Sequence, residues 1–159
     1  SISPRCKRLQ EMFERNGVSP SLPDDAEWEM WKKFVLSSTY PLFALGRMPF
    51  AIGFQVPETR ALLIGAMDET IAVAAAHGID FPSDQATQFA EHLSKIPTGV
   101  TPSTLKDVQA GKPSEVDGLS GAVLRLAKVK SPPIPTPIHE LAMTLLLPGE
   151  KKARGELEY

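Results

Sequence analysis

The sequence predicts an all-α protein, a single multi-helix and bundle-like domain, and three observations support this class. Apolar residues recur at spacings of three and four along most of the chain, which is the period of an amphipathic helix. Capping residues or prolines precede these segments, and glycines or prolines follow them, as at helix starts and stops. No alternating apolar and polar run bounded by turn residues occurs, so no strand is predicted.

The first two predicted helices have recognisable ends. Ser3-Pro4 combines a capping hydroxyl with a proline at the first helical position, and Asn16-Gly17 is the matching stop. Asp24-Asp25 precedes the second helix, where a carboxylate can cap free amides and favour the positive end of the helix dipole.

The second helix carries the most informative pattern. Its apolar face is formed by three residues at spacings of three and four: Trp28, Trp31 and Val35. Lys33 lies roughly 200° from Trp31 at about 100° per residue, so it faces away from this apolar face. Ser37 lies on the same side as Lys33, and Pro41 is expected to end or kink the helix.

The middle of the chain is predicted to contain a loop and two further helices. The glycines and proline within residues 46–53 indicate the loop. Pro57 then begins a long Ala-rich helix that runs to His77. Its small residues suit close packing, either inside the domain or against a second copy in a homodimer. After a turn at residues 80–83, a short helix continues to about Lys95.

The last third is predicted to contain three helices. They cover about Pro102–Ala110, about Ser114–Lys128, and a segment that Thr136-Pro137 caps and that ends near Leu147. Within the second of these, Gly118 and Gly121 lower helix propensity and permit close approach. We therefore expect one domain over residues 1–150 and a loose, charged tail over residues 151–159.

Composition argues against nucleic-acid and membrane partners. The net charge is −2 with no run of Lys and Arg, and no apolar stretch is long enough to span a bilayer. Cys6 is the only cysteine, so an internal disulfide is excluded and a reducing compartment, the cytoplasm, is expected. Because helix signals begin directly after Ser1, which is not Met, we expect a fragment or a processed chain.

No cofactor or metal motif occurs in the sequence. It contains neither Gly-x-Gly-x-x-Gly nor a P-loop, so nothing indicates which residues would bind a nucleotide. The three histidines have no Cys or carboxylate at ligand spacing, and no metal site is predicted: His77, His92 and His139.

Residues 101–121 contain a specific pattern. Its parts are, in order, Ser103, Asp107-Val108, Ala110-Gly111-Lys112, Ser114-Glu115-Val116-Asp117 and Gly121. In order and spacing this run resembles the signature of the ketopantoate reductase C-terminal domain. The segment Trp31-Lys32-Lys33-Phe34 is similar to the Trp-x-Lys-Leu of the same family, and the resemblance extends from about Leu9 to Leu147.

The resemblance implies both a fold and an activity. The fold is that of the C-terminal domain of 6-phosphogluconate dehydrogenase-like reductases. The activity is that of an NADPH-dependent 2-dehydropantoate 2-reductase, which reduces ketopantoate to pantoate in pantothenate biosynthesis. NADPH would be bound mainly by an N-terminal Rossmann domain of the same protein, so this chain alone is expected to be inactive.

The resemblance also implies roles for four residues. Lys33 matches the lysine that protonates the C2 oxygen of the substrate, and Glu115 matches the glutamate that contacts the substrate hydroxyl and that lysine. Ser103 matches a serine that holds the substrate carboxylate, and Ser37 is a substrate-binding candidate. A cationic acid stabilises the charge that reduction builds on a carbonyl oxygen, and a nearby carboxylate favours the charged lysine. We therefore expect Lys33 and Glu115 to meet across one groove.

Departures from the family pattern leave alternatives open. The family usually has Asn where this chain has Ser37 and Pro41, so a reductase for another 2-oxo acid is one alternative. A non-catalytic helical binding or assembly module is another. The site residues also have purely structural interpretations: Lys33 as a solvated side chain, Glu115 as a first-turn helix residue, and Ser103 as a helix N-cap.

Overall fold

The computed structural model describes residues 2–158, and this part of the chain is helical without a strand, which confirms the all-α class. Its helices are α1 (Pro4–Arg15), α2 (Ala26–Ser37), α3 (Tyr40–Gly46), α4 (Phe50–Gln55), α5 (Pro57–Ala76), α6 (Gln85–Leu93), α7 (Ser103–Gln109), a π-helix (Asp117–Gly121), α8 (Ala122–Lys128) and α9 (Pro137–Ala153). Among these helices, none combines the length and apolar character needed to cross a bilayer. The chain divides into two compact units, Ser1–Lys33 and Phe34–Tyr159.

The first unit contains α1 and most of α2, and the predicted helix ends are confirmed there. The Ser3 hydroxyl accepts a hydrogen bond from the Cys6 amide at 3.2 Å. Gly17 follows the last turn of α1 with a φ of +75°, a conformation that glycine adopts at low cost. Asp25 Oδ1 accepts from the Trp28 amide at 2.9 Å and so caps the start of α2.

The second unit begins with the end of α2 and its junction with α3. Ser37 is the last residue of α2, and α3 starts at Tyr40 with Pro41 in its first turn, so the proline separates two helices. Between them, the hydroxyls of Ser38 and Thr39 donate to carbonyls in the last turn of α2 at 2.9 and 2.7 Å.

Helix α4 occupies part of the segment that was predicted as a loop, so the loop prediction over residues 46–53 was wrong in its second half. Aromatic burial outweighs the low helix propensity of Gly53. Phe43 packs edge to face against Phe50 and Phe54, with ring centroids 5.0 and 5.7 Å apart. A Cβ on Gly53 would lie 2.6 Å from the Phe43 ring, so glycine permits this close approach.

Helix α5 runs through the core of the second unit. It packs against α4, α6, α8 and α9. Its buried residues are Leu63, Ala66, Met67, Thr70, Val73 and Ala74. Close packing inside the domain, one of the two uses predicted for this Ala-rich helix, is therefore confirmed. The helix ends as predicted, with His77 at the C-cap and Gly78 at a φ of +90°.

The segment predicted as one helix over Ser114–Lys128 is irregular at its start. The π-helix precedes α8, and the Gly121 amide donates to the Val116 carbonyl, five residues earlier, at 3.2 Å. A π-turn holds one residue more than an α-turn, so the segment before α8 departs from a regular α-helix.

Helix α9 is longer than predicted. It does not end near Leu147 but continues through the exposed Pro148 to Ala153, so the first three residues of the predicted loose tail are helical. A proline costs an internal helix one hydrogen bond. The buried residues Leu146 and Glu150 lie on either side of it and hold the helix to the second unit.

Candidate functional site

Lys33 lies on α2, near the end of the first unit, and it is exposed. The register of the helix explains this position, because Trp28 and Trp31 are half-buried on the opposite side. The neighbouring Lys32 is half-buried, stands 5.0 Å from the centre of the Trp28 ring and pairs with Glu29 at 3.6 Å. The two adjacent lysines therefore differ in their surroundings: Lys32 contacts Trp28 and Glu29, whereas Lys33 presents its side-chain nitrogen to solvent.

Ser37 and Pro41 flank the junction of α2 and α3. Ser37 is half-buried, and its hydroxyl donates to the Phe34 carbonyl of its own helix at 3.4 Å. Pro41 is buried in α3. The second family asparagine position is therefore occupied by an apolar core residue.

Ser103 is the first residue of α7, and it is exposed. Pro102 occupies the N-cap position without a side-chain cap bond, so the interpretation of Ser103 as an N-cap is wrong. The hydroxyl of the next residue, Thr104, is buried and has no hydrogen-bond partner within residues 2–158. The helix start thus presents Ser103, and not Thr104, to solvent.

Glu115 is exposed in the turn that leads into the π-helix. Its carbonyl accepts a hydrogen bond from the Leu119 amide at 2.9 Å. Glu115 therefore precedes an irregular helix and does not lie in the first turn of an α-helix, as its structural interpretation required.

The residue before Glu115 is held by a carboxylate from α9. The Ser114 amide donates to both carboxylate oxygens of Glu150 at 3.0 Å, and the Ser114 hydroxyl donates to one of them at 2.8 Å. Arg154, one turn later, donates to Glu150 from Nε at 3.0 Å and lies 2.8 Å from it through Nη2. Sequence analysis missed Glu150 because its main partner lies 36 residues away.

Asp117, at the start of the π-helix, pairs with Arg125 of α8 at 2.8 Å. A Cβ on Gly121 would lie 2.7 Å from Asp117 Oδ1. Glycine at this position therefore leaves space for the ion pair, and the close approach predicted for Gly121 is confirmed.

A fully buried polar network lies in the second unit, and sequence analysis missed it. His139 Nε2 is 2.9 Å from both the Thr70 hydroxyl and the Ala66 carbonyl, and Nδ1 is 3.2 Å from the Ser120 hydroxyl. Ser38 extends the network through a 2.9 Å contact with Thr70. A neutral imidazole with its proton on Nε2 satisfies these contacts, an assignment that rests on the hydrogen-bond pattern. Burial lowers the pKa of His139, and the Ala66 carbonyl partly opposes this effect.

This network connects segments that carry predicted site residues. The Ser120 hydroxyl of the π-helix also lies 3.5 Å from the Ser38 carbonyl, directly after Ser37. Helix α3, which follows, packs against both α7 and the π-helix. The segments of the second unit that carry Ser37, Ser103 and Glu115 are therefore joined through α3, while Lys33 belongs to the first unit.

A cavity of about 450 Å³ lies between the end of α7 and α9 in the second unit. It is lined by Val108, Gly111, Lys112, Leu145, Leu146, Gly149, Glu150, Lys152 and Ala153. None of the four predicted site residues lines it, whereas Glu150 does. Across residues 2–158, no group of three or more His, Cys, Asp or Glu side chains is placed to hold a metal ion.

Comparison with known proteins extends these findings. The family described as Ketopantoate reductase PanE/ApbA C terminal matches residues 25–150, a range that contains all four predicted site residues. A curated 2-dehydropantoate 2-reductase from Mesorhizobium japonicum is 30% identical over 152 residues, which are 94% of this chain and 45% of that protein. Another from Pyrobaculum aerophilum is 26% identical over 150 residues, which are 94% of this chain and 51% of that protein.

A solved structure is similar over the same extent. The PanE/ApbA family ketopantoate reductase from Ralstonia eutropha JMP134 superposes with a TM-score of 0.83 at 27% identity. The match covers 96% of this chain and 50% of that one. The chain therefore spans about half the length of the relatives that it matches.

Proposed function

The chain belongs to the ketopantoate reductase family, whose C-terminal domain it matches over residues 25–150, and from that premise we propose that it is the substrate-binding domain of an NADPH-dependent 2-dehydropantoate 2-reductase. The whole protein would reduce ketopantoate to pantoate in pantothenate biosynthesis. The observation that supports the proposal is this match, whose range contains Lys33, Ser37, Ser103 and Glu115.

The proposed chemistry assigns one role to each charged site residue. Lys33 transfers a proton from its ammonium to the C2 oxygen of the substrate, where reduction builds negative charge. Glu115 accepts a hydrogen bond from the substrate hydroxyl and favours the charged form of the lysine. The exposure of both side chains supports this assignment, since each must be accessible to a ligand.

Ser103 and Ser37 would orient the substrate. Ser103 holds the substrate carboxylate in this proposal, and its exposed position at the start of α7 supports that role. Ser37 offers a hydroxyl that is half-buried. Its hydrogen bond to the Phe34 carbonyl is 3.4 Å long and therefore weak, so a hydrogen bond to a ligand can replace it.

The cofactor is assigned to another part of the whole protein. The chain has no Gly-x-Gly-x-x-Gly motif to cradle a pyrophosphate, so its own residues do not fit that role. When bound to an N-terminal Rossmann domain, NADPH would supply hydride to the C2 carbon. The residues of this chain would then bind the substrate, orient it and deliver the proton.

A second candidate substrate is favoured by one observation. Pro41 is buried in α3 at a position where the family usually has Asn. A buried proline side chain offers no hydrogen bond to a substrate hydroxyl, and polar contacts of that kind dominate substrate discrimination. Another 2-oxo acid, without the ketopantoate hydroxyl, is therefore the alternative substrate.

The first test replaces Lys33 in the full-length gene product. We expect Lys33→Ala to lower kcat at least about 100-fold, since general acid catalysis contributes 10²–10⁴-fold. NADPH oxidation with ketopantoate and a panel of other 2-oxo acids is the measurement. Lys32→Ala is the matched control, because the adjacent Lys32 already engages Trp28 and Glu29 and should leave kcat near the wild-type value.

The outcomes of this test separate the proposals. Turnover of ketopantoate supports the first substrate, and turnover of a different 2-oxo acid alone supports the second. A wild-type protein that oxidises no NADPH with any of them indicates a non-catalytic module. Near-normal turnover of Lys33→Ala would remove the role assigned to Lys33.

We also propose a cytoplasmic homodimer for the whole protein. The single cysteine, Cys6, agrees with a reducing compartment. Light scattering on the full-length protein tests the dimer, and a mass equal to one chain would contradict it.

A further inference from the structure

We infer that Glu150 is a positioning residue for the Glu115 carboxylate and acts through Ser114. This inference rests on the proposed function, in which Glu115 contacts substrate and Lys33. Glu150 lies outside the family-like motif of residues 101–121 and is supplied by α9. Because Glu150 is only 7% exposed, we assign it no contact with substrate.

The amide, hydroxyl and carbonyl of Ser114 all form hydrogen bonds with residues at the C-terminal end of α9. Its amide and its hydroxyl donate to the Glu150 carboxylate at distances of 2.8 to 3.0 Å. Its carbonyl accepts from Arg154 Nη2 at 3.4 Å. Charge-assisted hydrogen bonds of this kind are stronger than neutral ones, so the backbone at Ser114 has little freedom.

Glu115 is therefore held at both of its backbone ends. On one side is the restrained Ser114, and on the other side the Glu115 carbonyl accepts from the amide of Leu119, within the π-helix. The direction of a Cα–Cβ bond follows from its backbone. The side chain of Glu115 is exposed, and the second unit thus determines the direction in which it leaves the backbone, from which its carboxylate must reach the substrate.

Filling a buried helix position does not explain why Glu150 is a carboxylate. An apolar residue at a buried helix position usually stabilises a fold as much as a buried ion pair does, because burying charge costs desolvation. Glu150 lines the cavity between α7 and α9, so an apolar side chain would have space there. What an apolar residue cannot do is bind the Ser114 amide and hydroxyl together.

The test uses Glu150→Gln in the full-length protein. The amide group lacks the negative charge that strengthens the bonds from the Ser114 amide and from Arg154, so we expect kcat/KM for the accepted 2-oxo acid to fall at least about tenfold. The matched control is Glu91→Gln, at an exposed position on α6, which should retain wild-type kcat/KM. In the Glu115→Ala background, Glu150→Gln should lower kcat/KM no further, because its effect passes through Glu115.

Each outcome decides between supporting and rejecting the inference. An unchanged kcat/KM in Glu150→Gln, or a full additional loss in the Glu115→Ala background, would overturn it while leaving the proposed function intact. A wild-type protein without any reductase activity would overturn the proposed function, and this inference with it. Should Glu150→Gln fail to fold, Ser114→Ala is the second variant, because it removes only the hydrogen bond from the Ser114 hydroxyl. We again expect kcat/KM to fall when Glu115 is present and to stay unchanged in the Glu115→Ala background.

Discussion

The buried imidazole of His139 makes the stability of the protein depend on pH. In the unfolded chain His139 titrates near its ordinary pKa of 6.5, whereas burial lowers that pKa in the folded protein. As pH falls below about 6.5, the unfolded state therefore binds a proton that the folded state does not bind. The free energy of unfolding should decrease over that range, until the pH reaches the lowered pKa of the folded state.

We expect His139→Asn to cost about 1–3 kcal/mol near pH 8, because it disturbs the bonds to Thr70 and Ser120. Near pH 5.5 the difference in unfolding free energy between the variant and wild type should be smaller, since the variant lacks the titrating group. Urea unfolding of the full-length protein at both pH values measures this gap. The exposed His92, changed to Asn, is the control and should show no gap at either pH. An equal gap for His139→Asn at both pH values would contradict the titration.

At the scale of the helices, the surroundings of two glycines predict opposite changes in stability for the same substitution to alanine. Outside its chain neighbours and the backbone of its own helix, Gly149 in α9 has no atom within 4 Å of the point where a Cβ would lie, so Gly149→Ala should stabilise by up to about 1 kcal/mol. Gly53 in α4 gains the same helix propensity, but its Cβ would meet the Phe43 ring at 2.6 Å. Gly53→Ala should therefore destabilise by about 1–3 kcal/mol. Thermal unfolding followed by circular dichroism compares both variants, and a stabilised Gly53→Ala would refute the close contact.

Helix ends were predictable where the signal is local. Ser3 and Asp25 cap helices through amides three residues away, and Pro57 begins α5 as its position predicts. The start of α9 differs, because Thr136, expected as the cap, makes no side-chain cap bond. Glu69 of α5 accepts from the first-turn amides of α9 at 2.9 and 3.2 Å, and nothing near Thr136 in the sequence indicates this partner.

At the scale of the whole molecule, the two compact units should differ in local stability. None of the residues of α1 is buried, whereas α5 contributes six buried residues to the core of the second unit. Elements with few buried apolar groups open more readily. Hydrogen exchange on the full-length protein should therefore show faster exchange in α1 than in α5. Equal protection would mean that another part of the protein covers α1.

The candidate site was predictable only in part, for the same reason as the helix ends. Lys33 and Glu115 belong to short motifs that can be compared with a family pattern, and their roles stay predictions. Glu150 and His139 act on partners 36 and 69 residues away in the chain. Such contacts depend on how helices pack, and amphipathic spacing alone does not determine which buried polar groups meet. Pro148 shows the same limit, since tertiary burial carries α9 past it.

The π-helix has an evolutionary consequence. A five-residue hydrogen-bond step holds one residue more than a regular turn, so losing Gly118 alone would restore the common helical repeat. Gly118 has nothing within 4 Å of its Cβ direction, and no side chain would need to be removed with it. The five-residue ring and the four-residue ring each close about one helical turn, so the residues on either side of the deletion would keep their mutual orientation. A single lost codon in this segment is thus a change that the fold can accept without turning Glu115 relative to α8.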